Sequence, residues 1–595
     1  MHPSSTALDR QFAACLQQFD PGMDESVTWA ARLASQAVGE GHVCLDLRRY
    51  AGVEIEPGQR LPPVTAWQQR LSSSPVVGRP GEFKPLIIEG ERLYLARYWS
   101  YETQLAARLM ARAGESCPDI DLPRLAADLD RLFAHNAGPA IDWQKSAAAI
   151  AALRRLCVIS GGPGTGKTST VARLLAALQS QADGGLRIAL ATPTGKAAAR
   201  MQDSIRLQKR SLDMPDHIIA SIPETASTLH RLLGARPGSV HFRHDRTNPL
   251  TVDVVVVDEA SMIDLALLSK LLDALPSKAR LILLGDKDQL AAVEAGAVFG
   301  DICAGRGYRQ PFREPVQDIS GVAVETSANP VPLGNCIALL RHSHRFGTGS
   351  GIGELARRVN DGEEFSAIQA LFSEERHADL VWRPQFSMDD LLERMELGYQ
   401  AFFDRVAGGA GGLEVLAAFN RFRVLAAHHQ GPASADSANR AFEARVRSRR
   451  RIPSYERWYP GRPVILLRND YGLRVFNGDV GVCLRVDGDL RVCFEGTGGK
   501  LRSLAPARLP EHEPVYAMTV HKSQGSEFDE SLLLLPESIS PILNRALVYT
   551  AITRARHRAE IWGGPAILAA AVKAAPARSS GLRERLWGAN LESRG

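Results

Sequence analysis

Cysteine is scarce and scattered in this 595-residue chain, which contains eight cysteines and no C-x-x-C pair. The spacing gives no indication of a zinc or iron–sulfur site and argues against a disulfide framework. No uninterrupted apolar run approaches the ~20 residues that a membrane-spanning helix needs, and the polar N-terminus lacks a signal-peptide pattern. We therefore expect a soluble protein in the reducing cytoplasm.

A large excess of one sign of charge is also lacking. The chain has 71 Lys and Arg residues and 66 Asp and Glu residues, which gives a formal net charge of +5. Such a mild excess permits nucleic-acid binding but does not by itself indicate it. The chain is too long for one hydrophobic core, so roughly three or four domains are expected. No internal repeat is apparent.

The strongest feature present is a glycine-rich stretch, Gly161-Gly-Pro-Gly-Thr-Gly-Lys-Thr168, which matches the P-loop pattern G-x-x-x-x-G-K-[ST]. An apolar run at 156–160 predicts a strand entering the loop, and an amphipathic stretch at 168–178 predicts a helix leaving it. Glycines let backbone N–H groups approach phosphates, and a helix N-terminus adds partial positive charge. Lys167 is therefore expected to pair with the β- and γ-phosphates of a nucleotide, and Thr168 to ligate Mg²⁺.

A second apolar strand ends in two carboxylates, in the run Val254-Val-Val-Val-Asp-Glu259. After a P-loop, Asp258 is expected to hold Mg²⁺ and Glu259 to polarise the attacking water, which favours hydrolysis over binding alone. A third strand ends at Gly285-Asp-Lys-Asp-Gln289. Doubly wound sheets bind ligands at the carboxyl ends of their strands, so Asp286 and Gln289 are expected near the γ-phosphate.

Short Val/Ile/Leu runs alternate with helical patterns from about 140 to 340, at 156–160, 187–191, 252–257 and 280–284. Near-continuous apolar runs are typical of parallel strands covered on both faces, which predicts a doubly wound α/β domain. The Pro- and Gly-rich stretch 305–333 predicts a surface loop.

A second α/β pattern begins near 335 and resumes after 511. Between its two parts, 462–508 predicts an all-β insertion of five short strands, with tight turns at Asn477-Gly478 and Asp487-Gly488. Near the N-terminus, 86–95 predicts two short strands around Glu89-Gly90.

Two weaker patterns have open interpretations. Glu82-Phe-Lys84, with Asp46 as a partner, has the form of a nuclease E-x-K pattern, although structural or partner-docking use is the better interpretation. The stretch 440–451 contains six arginines and one glutamate. It either contacts a phosphate backbone or a partner, or forms a solvated helix face.

Further segments fall in a fixed order around the P-loop and the carboxylates. They are Asp142-Trp-Gln144, Thr192-Pro-Thr-Gly-Lys-Ala-Ala198, Ser227-Thr-Leu-His-Arg231, Ser343-His-Arg-Phe346, Thr519-Val-His-Lys-Ser-Gln-Gly-Ser-Glu527 and Val548-Tyr-Thr-Ala-Ile-Thr-Arg-Ala-Arg556. With the motifs above, this set resembles the superfamily-one helicases, and within them the RecD family. The resemblance spans about 140 to 560, and the ordered set has no plausible chance origin.

The resemblance implies a role for each matched residue. The catalytic set would be Lys167, Glu259, Gln289, Arg345 and Arg554, with Arg345 reaching the γ-phosphate and Arg554 as the arginine finger. The nucleotide-binding set would be Gln144, Gly161, Gly162, Pro163, Gly164, Thr165, Gly166, Lys167, Thr168, Asp258 and Gly525. Metal ligands would be Thr168 and Asp258. The DNA-facing residues would be Thr194, His230, Thr519 and His521.

For the fold, the resemblance implies two RecA-like doubly wound motor domains, a small SH3-like β insertion in the second, and an N-terminal partner-docking domain. The expected divisions are 1–115, N-terminal; 116–335, first motor domain; 336–461 and 511–595, second motor domain; and 462–510, insertion. Arg345 and Arg554 are expected to reach the nucleotide from the second motor domain.

For function, the resemblance implies an ATP- and Mg²⁺-dependent 5′-to-3′ translocase and helicase on single-stranded and unwinding double-stranded DNA. Members of this family work with RecB and RecC in exodeoxyribonuclease V, which processes double-strand ends for recombination. The short region before Gln144 favours the alpha subunit of such a complex over a free-standing helicase. Two other hypotheses are a non-motor subunit that uses ATP as a switch and a nuclease.

Overall fold

The computed structural model describes residues 5–117, 119–134, 143–236, 238–305, 307–308, 310–321, 331–347, 349–373, 377–470 and 472–588. Along these residues lie a small N-terminal domain, two α/β domains with parallel sheets, and a β unit inserted in the second. This arrangement confirms the predicted fold class. None of the described helices is both long enough and apolar enough to span a membrane.

The N-terminal domain packs three helices around a small mixed sheet. Its elements are α1 (Ala7–Gln17), α2 (Glu25–Gly39), β1 (Leu45–Asp46), β2 (Glu54–Glu56), β3 (Gln59–Arg60), α3 (Val64–Ser73), β4 (Val77–Gly78), β5 (Leu86–Glu89) and β6 (Arg92–Leu95). The strand order is β1–β6–β5–β4, and β5 and β6 form the predicted hairpin. Trp67 and Leu86 are fully buried in its core.

The first α/β domain contains a six-stranded parallel sheet. Its elements are α4 (Ala96–Gly114), α5 (Leu122–Leu132), α6 (Trp143–Leu153), β7 (Leu156–Gly161), α7 (Lys167–Gln181), β8 (Ile188–Thr192), α8 (Gly195–Lys209), α9 (Asp216–Ser221), β9 (Ala226–Thr228), α10 (Leu229–Leu233), β10 (Val254–Val257), α11 (Leu265–Ala274), β11 (Arg280–Gly285), α12 (Val298–Ile302), α13 (Gln310–Ser320) and β12 (Ile337–Leu340). The strand order is β12–β7–β11–β10–β8–β9. Every side chain of β10 is fully buried, as its unbroken valine run predicts.

Three sequence expectations change in this domain. Strand β12 pairs with β7 in the first sheet, so that sheet continues past the expected division at 335. The expected loop 305–333 contains helix α13, which forms because Phe312, Val316 and Ile319 bury one face. Helix α4 lies in the core of this domain although it was expected largely in the N-terminal one.

The second α/β domain has a five-stranded parallel sheet in two chain segments. The first segment contains α14 (Gly351–Asp361), α15 (Phe365–Ser373), β13 (Leu380–Arg383), α16 (Met388–Ala407), α17 (Gly412–Phe419), β14 (Phe422–Ala426) and α18 (Ala435–Arg449). The inserted unit contains β15 (Pro463–Leu466), β16 (Val480–Val486), β17 (Asp489–Glu495), β18 (Leu501–Leu504) and β19 (His512–Pro514). The second segment contains β20 (Ala517–Thr519), β21 (Phe528–Leu534), α19 (Arg545–Ile552), β22 (Ala555–Trp562), α20 (Pro565–Lys573) and α21 (Leu582–Trp587).

The parallel sheet of this domain has the order β13–β22–β21–β14–β20, and the insertion forms an antiparallel sheet in the order β18–β17–β16–β15–β19. The five inserted strands match the prediction, although β19 extends the unit to 514. The insertion also contacts the first domain, because a Cβ placed on Gly195 would lie 3.0 Å from Cγ of Phe476.

The C-terminal segment returns to the start of the chain, although it was expected in the second motor domain. The Val43 N–H donates to the Ser579 carbonyl at 2.8 Å, and the Ser579 N–H donates to His42 Nδ1 at 2.8 Å. In α21, Arg585 pairs with the buried Glu102 of α4 at 3.0 Å. The segment therefore ties the end of the second α/β domain to α4 and the N-terminal domain.

Residues of the two weaker sequence patterns form hydrogen bonds and ion pairs within the protein. Glu82 accepts a hydrogen bond from the Arg79 backbone at 3.0 Å, and Asp46 pairs with Arg48 at 2.9 Å. In the arginine-rich stretch, Arg445 and Arg449 both pair with Glu396 of α16, at 3.0 and 2.7 Å. The first two contacts favour the structural interpretation of the Glu82-Phe-Lys84 pattern. In the arginine-rich stretch, Arg445 and Arg449 link α18 to α16, and the interpretation of the remaining arginines stays a prediction.

Candidate nucleotide site between the two α/β domains

The P-loop joins β7 to α7 through two glycines in the left-handed region. Gly164 and Gly166 have φ angles of 78° and 80°, which other residues adopt only with strain. A Cβ on Gly166 would lie 2.2 Å from Nε2 of Gln144, so the loop also needs glycine for close approach. Lys167 donates from Nζ to the carbonyls of Gly161 and Gly162 at 2.6 and 3.1 Å. The ammonium therefore lies over the loop, ahead of the α7 N-terminus.

The carboxylates at the end of β10 lie beside this loop. Thr168 hydrogen-bonds the Asp258 side chain. Burial, and next the charge of Glu259, raises the pKa of Asp258 to about 6. Glu259 has a φ of 54°, a strained conformation for a non-glycine residue that turns the chain away from the strand. A hydroxyl and a carboxylate side by side are suitable oxygen ligands for Mg²⁺.

A hydrogen-bonded chain crosses the cleft from the end of β11. Buried Asp286 accepts from Gln289 Nε2 at 3.0 Å and from the Tyr549 hydroxyl at 2.9 Å. Gln289 in turn accepts from Arg554 Nη2 at 2.7 Å. Burial raises the pKa of Asp286. Tyr549, three residues before the end of α19, and Arg554, two residues after it, thus touch one polar cluster of the first domain.

Next to this chain, the backbone of Leu290 is held by the second domain on both sides. Its N–H donates to Thr550 Oγ1 at 2.9 Å, and its carbonyl accepts from Gln524 Nε2 at 2.8 Å. The strand-end loop after β11 is therefore linked to the segments before β21 and within α19.

Arg345 reaches the cleft from an unexpected direction. It follows β12, whose pairing with β7 brings residues 343–346 onto the P-loop. The His344 N–H donates to the Gly164 carbonyl at 2.8 Å, and Ser343 Oγ donates to the Pro163 carbonyl at 2.9 Å. Arg345 is thus anchored on the first domain, whereas Arg554 comes from the second as expected. The Arg345 guanidinium extends across the cleft to Glu527, with Nη2 2.5 Å from Oε1.

The remaining predicted nucleotide residues fall into two groups. Gln144 is 7% exposed in α6 and donates from Nε2 to the Thr165 carbonyl at 3.0 Å. Its neighbour Asp142 lies outside the described residues. Gly525 lies across from α8, where its carbonyl accepts from Arg200, and the adjacent Ser526 accepts from Lys196 Nζ at 2.7 Å.

Two of the expected DNA-facing residues follow neighbouring strands. Strands β8 and β9 are paired at Thr192 and Thr228, so Thr194 and His230 lie near the same sheet edge. Thr194 caps α8, accepting from the Ala197 N–H at 3.2 Å. His230 is exposed on α10 and stands edge-on to Phe242.

The other two expected DNA-facing residues are at the end of β20. Thr519 is 9% exposed, and its hydroxyl accepts from the Lys522 N–H at 3.3 Å. Burial and then the nearby Arg578 lower the pKa of His521. Both residues therefore contact the protein itself, and His230 is the more accessible candidate.

The structure adds residues that sequence reasoning did not assign. Tyr549 and Glu527 lie within the quoted motifs but gained no role from their spacing. Ser343 and His344 hold the P-loop, and Lys196 and Arg200 link α8 to the loop before β21. All of them except Arg200, which lies two residues beyond the quoted segment 192–198, belong to one of the ordered motifs. Membership in a motif does not identify partners across a cleft.

Family models match three parts of the chain. Residues 5–94 match the RecBCD enzyme subunit RecD N-terminal domain, residues 144–295 an AAA domain, and residues 514–561 a UvrD-like helicase C-terminal domain. The RecBCD enzyme subunit RecD of Mycolicibacterium smegmatis is 39% identical over 572 residues, covering 95% of this chain and 94% of the relative. The chain belongs to the RecD family. It is an ATP-dependent DNA helicase with the motor elements described above.

One further relative and one solved structure were also found to resemble this RecD-family chain. The ATP-dependent RecD2 DNA helicase of Deinococcus radiodurans is 32% identical over 437 residues, covering 73% of this chain and 50% of that protein. A solved Pif1 helicase, studied for DNA unwinding at forked duplexes, is 14% identical with a TM-score of 0.38, over 71% of this chain and 92% of that one.

Proposed function

We propose that this chain converts ATP hydrolysis into 5′-to-3′ movement along single-stranded DNA, as the alpha subunit of a RecBCD-type exodeoxyribonuclease V. In this role it unwinds DNA at double-strand ends for repair by homologous recombination. The observation that carries the proposal is the Asp286–Gln289–Arg554 chain, which joins the nucleotide site of one motor domain to the other.

In the proposed site, backbone amides of the P-loop and Lys167 bind the β- and γ-phosphates, and Gln144 recognises the adenine. Thr168 and Asp258 would hold Mg²⁺, which supplies charge neutralisation at the phosphates when bound. Glu259 orients the attacking water. Arg345 and Arg554 contribute guanidinium groups, whose charge stabilises the transferred phosphoryl group.

Coupling to DNA would run through contacts that both domains share. Leu290 is held by Gln524 and Thr550, so a change in cleft closure moves the loop that contains Thr519 and His521. Repeated closure and opening would shift the two domains against each other along a bound strand. The strand would be gripped mainly by its backbone, so sequence preference should be weak.

The proposed partners are RecB-like and RecC-like subunits in a heterotrimer located in the cytoplasm. The match of residues 5–94 to the RecD N-terminal domain supports partner docking by that region. The alternative within the same family is a free-standing helicase. The similarity to the RecD2 helicase supports this alternative.

Unwinding of duplexes with a 5′ or a 3′ single-stranded tail tests the proposal, using the chain alone and with RecB-like and RecC-like subunits. We expect ATP-dependent unwinding from 5′ tails, and loss of DNA-stimulated ATP hydrolysis in Lys167→Ala and Glu259→Gln. Unwinding from 3′ tails would refute the direction. Stimulation retained by Lys167→Ala would refute the site, and robust unwinding without partners would favour the free-standing form.

A further inference from the structure

Glu527 lies between arginines from three parts of the cleft. Its Oε1 pairs with Arg345 Nη2 at 2.5 Å, and its Oε2 pairs with Arg556 Nη2 at 3.0 Å. The charge of Arg200 also acts on it. Burial by itself raises the pKa of Glu527, but Arg345 and then Arg556 hold it down at about 2. The side chain is therefore a carboxylate at every physiological pH.

The backbone around Arg345 is held against the P-loop. A Cβ on Gly164 would lie 2.4 Å from the Arg345 Cβ. Nη1 of Arg345 is buried and has no hydrogen-bond partner among the described residues. A buried guanidinium nitrogen without an acceptor is costly, so an anionic oxygen placed at this nitrogen would be stabilised.

We propose that Glu527 is a positioning residue that competes with the γ-phosphate of ATP for Arg345. This inference rests on the proposed ATP site. A carboxylate and a phosphate both accept paired hydrogen bonds from one guanidinium, so binding of one weakens binding of the other. When the phosphate draws Arg345 away, Glu527 keeps Arg556 and Arg200 as counter-charges, so its carboxylate is not left buried and unpaired.

The change of partner at Arg345 would also link nucleotide binding to the segment 519–526. Glu527 directly follows the segment 519–526, which contains Thr519 and His521 and holds Leu290 through Gln524. Release of Arg345 therefore alters the contacts of a loop with candidate DNA-facing residues. ADP has no γ-phosphate, so it leaves the Arg345–Glu527 pair in place. The pair thus distinguishes the two nucleotides.

The test measures dissociation constants of the fluorescent nucleotides mant-AMPPNP and mant-ADP with the full-length chain and Mg²⁺. In Glu527→Gln we expect mant-AMPPNP to bind about fivefold more tightly, with mant-ADP unchanged, because only the γ-phosphate loses a competitor. Glu527→Ala should move in the same direction. In the Arg345→Ala background, Glu527→Gln should change neither constant, since the coupling partner is gone.

The matched control is Glu530→Gln, three residues further along, where the carboxylate pairs with Arg394 at 2.5 Å. It should bind both nucleotides like the parent chain. Weaker binding of both nucleotides in Glu527→Gln, or no change in either, would overturn the inference. The variant Lys167→Ala tests the ATP site separately from the role of Glu527. Unchanged binding of both nucleotides in Lys167→Ala would refute the phosphate site itself.

Discussion

Arg554→Ala is the most informative perturbation of the motor cleft. The side chain is 4% exposed and donates to the carbonyls of Thr550 and Ser526, both at 3.2 Å, and to Gln289 at 2.7 Å. These three acceptors hold the guanidinium in a fixed orientation beside the nucleotide site. The proposed role therefore needs little reorganisation before hydrolysis, and most of the loss should appear in the chemical step.

The expected magnitudes differ between catalysis and binding. Arginine fingers are worth about 10³ to 10⁵ in kcat, or roughly 4 to 7 kcal/mol at about 1.36 kcal/mol per tenfold change. Loss of the guanidinium leaves the Gln289 oxygen without this donor, at a cost to stability of about 1–3 kcal/mol. Nucleotide affinity should change by less than about tenfold, because the side chain is satisfied by protein acceptors in this conformation.

The assay combines DNA-stimulated ATP turnover with equilibrium binding of mant-AMPPNP. Arg554→Lys keeps the charge but not the three-way geometry, so its kcat should fall between those of the parent chain and Arg554→Ala. Arg558→Ala is the matched control, since Arg558 lies further along β22 and pairs with Glu560 at 3.1 Å. A large loss of nucleotide affinity with kcat preserved would refute the finger assignment.

Two more predictions concern the P-loop and a buried acid. Gly164 has a φ of 78°, and a Cβ added there would lie 2.4 Å from the Arg345 Cβ, so Gly164→Ala should weaken ATP binding. The control is Gly431→Ala, at a φ of 103° but with no atom within 4 Å of the added Cβ. It should leave ATP binding intact. Equal binding losses would contradict the steric argument. Burial raises the pKa of the Asp301 carboxyl to about 7 in the folded protein. The buried acid is deprotonated as pH rises through that value, and the folded state loses stability because a buried charge is unfavourable. Asp301→Asn should therefore raise the melting temperature more at about pH 8 than at about pH 5, and a pH-independent shift would contradict this.

Local patterns predicted much of the architecture and the chemistry-bearing residues. The P-loop, the valine strand ending at Asp258 and Glu259, and the five inserted strands all follow from periodicity and turn residues over short stretches. Residues 153–192 illustrate why: strand, loop and helix are neighbours in sequence, so their order already implies their packing. The predicted site residues of this segment lie together in the structure.

Partners across the cleft depended on tertiary structure. A strand's place in a sheet is decided by pairing with distant segments, so nothing local to 337–340 revealed that β12 joins β7 and brings Arg345 onto the first domain. Helix α13 formed in a Pro- and Gly-rich stretch because tertiary burial of Phe312, Val316 and Ile319 outweighs local preference.

The sequence by itself thus determined which groups are available: a phosphate loop, two carboxylates, and arginines in a recognisable order. Only the folded chain decided which of them meet. Glu527 pairs with Arg345 across 182 positions, and Arg554 with Gln289 across 265, and such pairs are set by how two sheets face each other. The physical reason is that charge and hydrogen-bond energies depend on distance in space, to which distance along the chain is a poor guide.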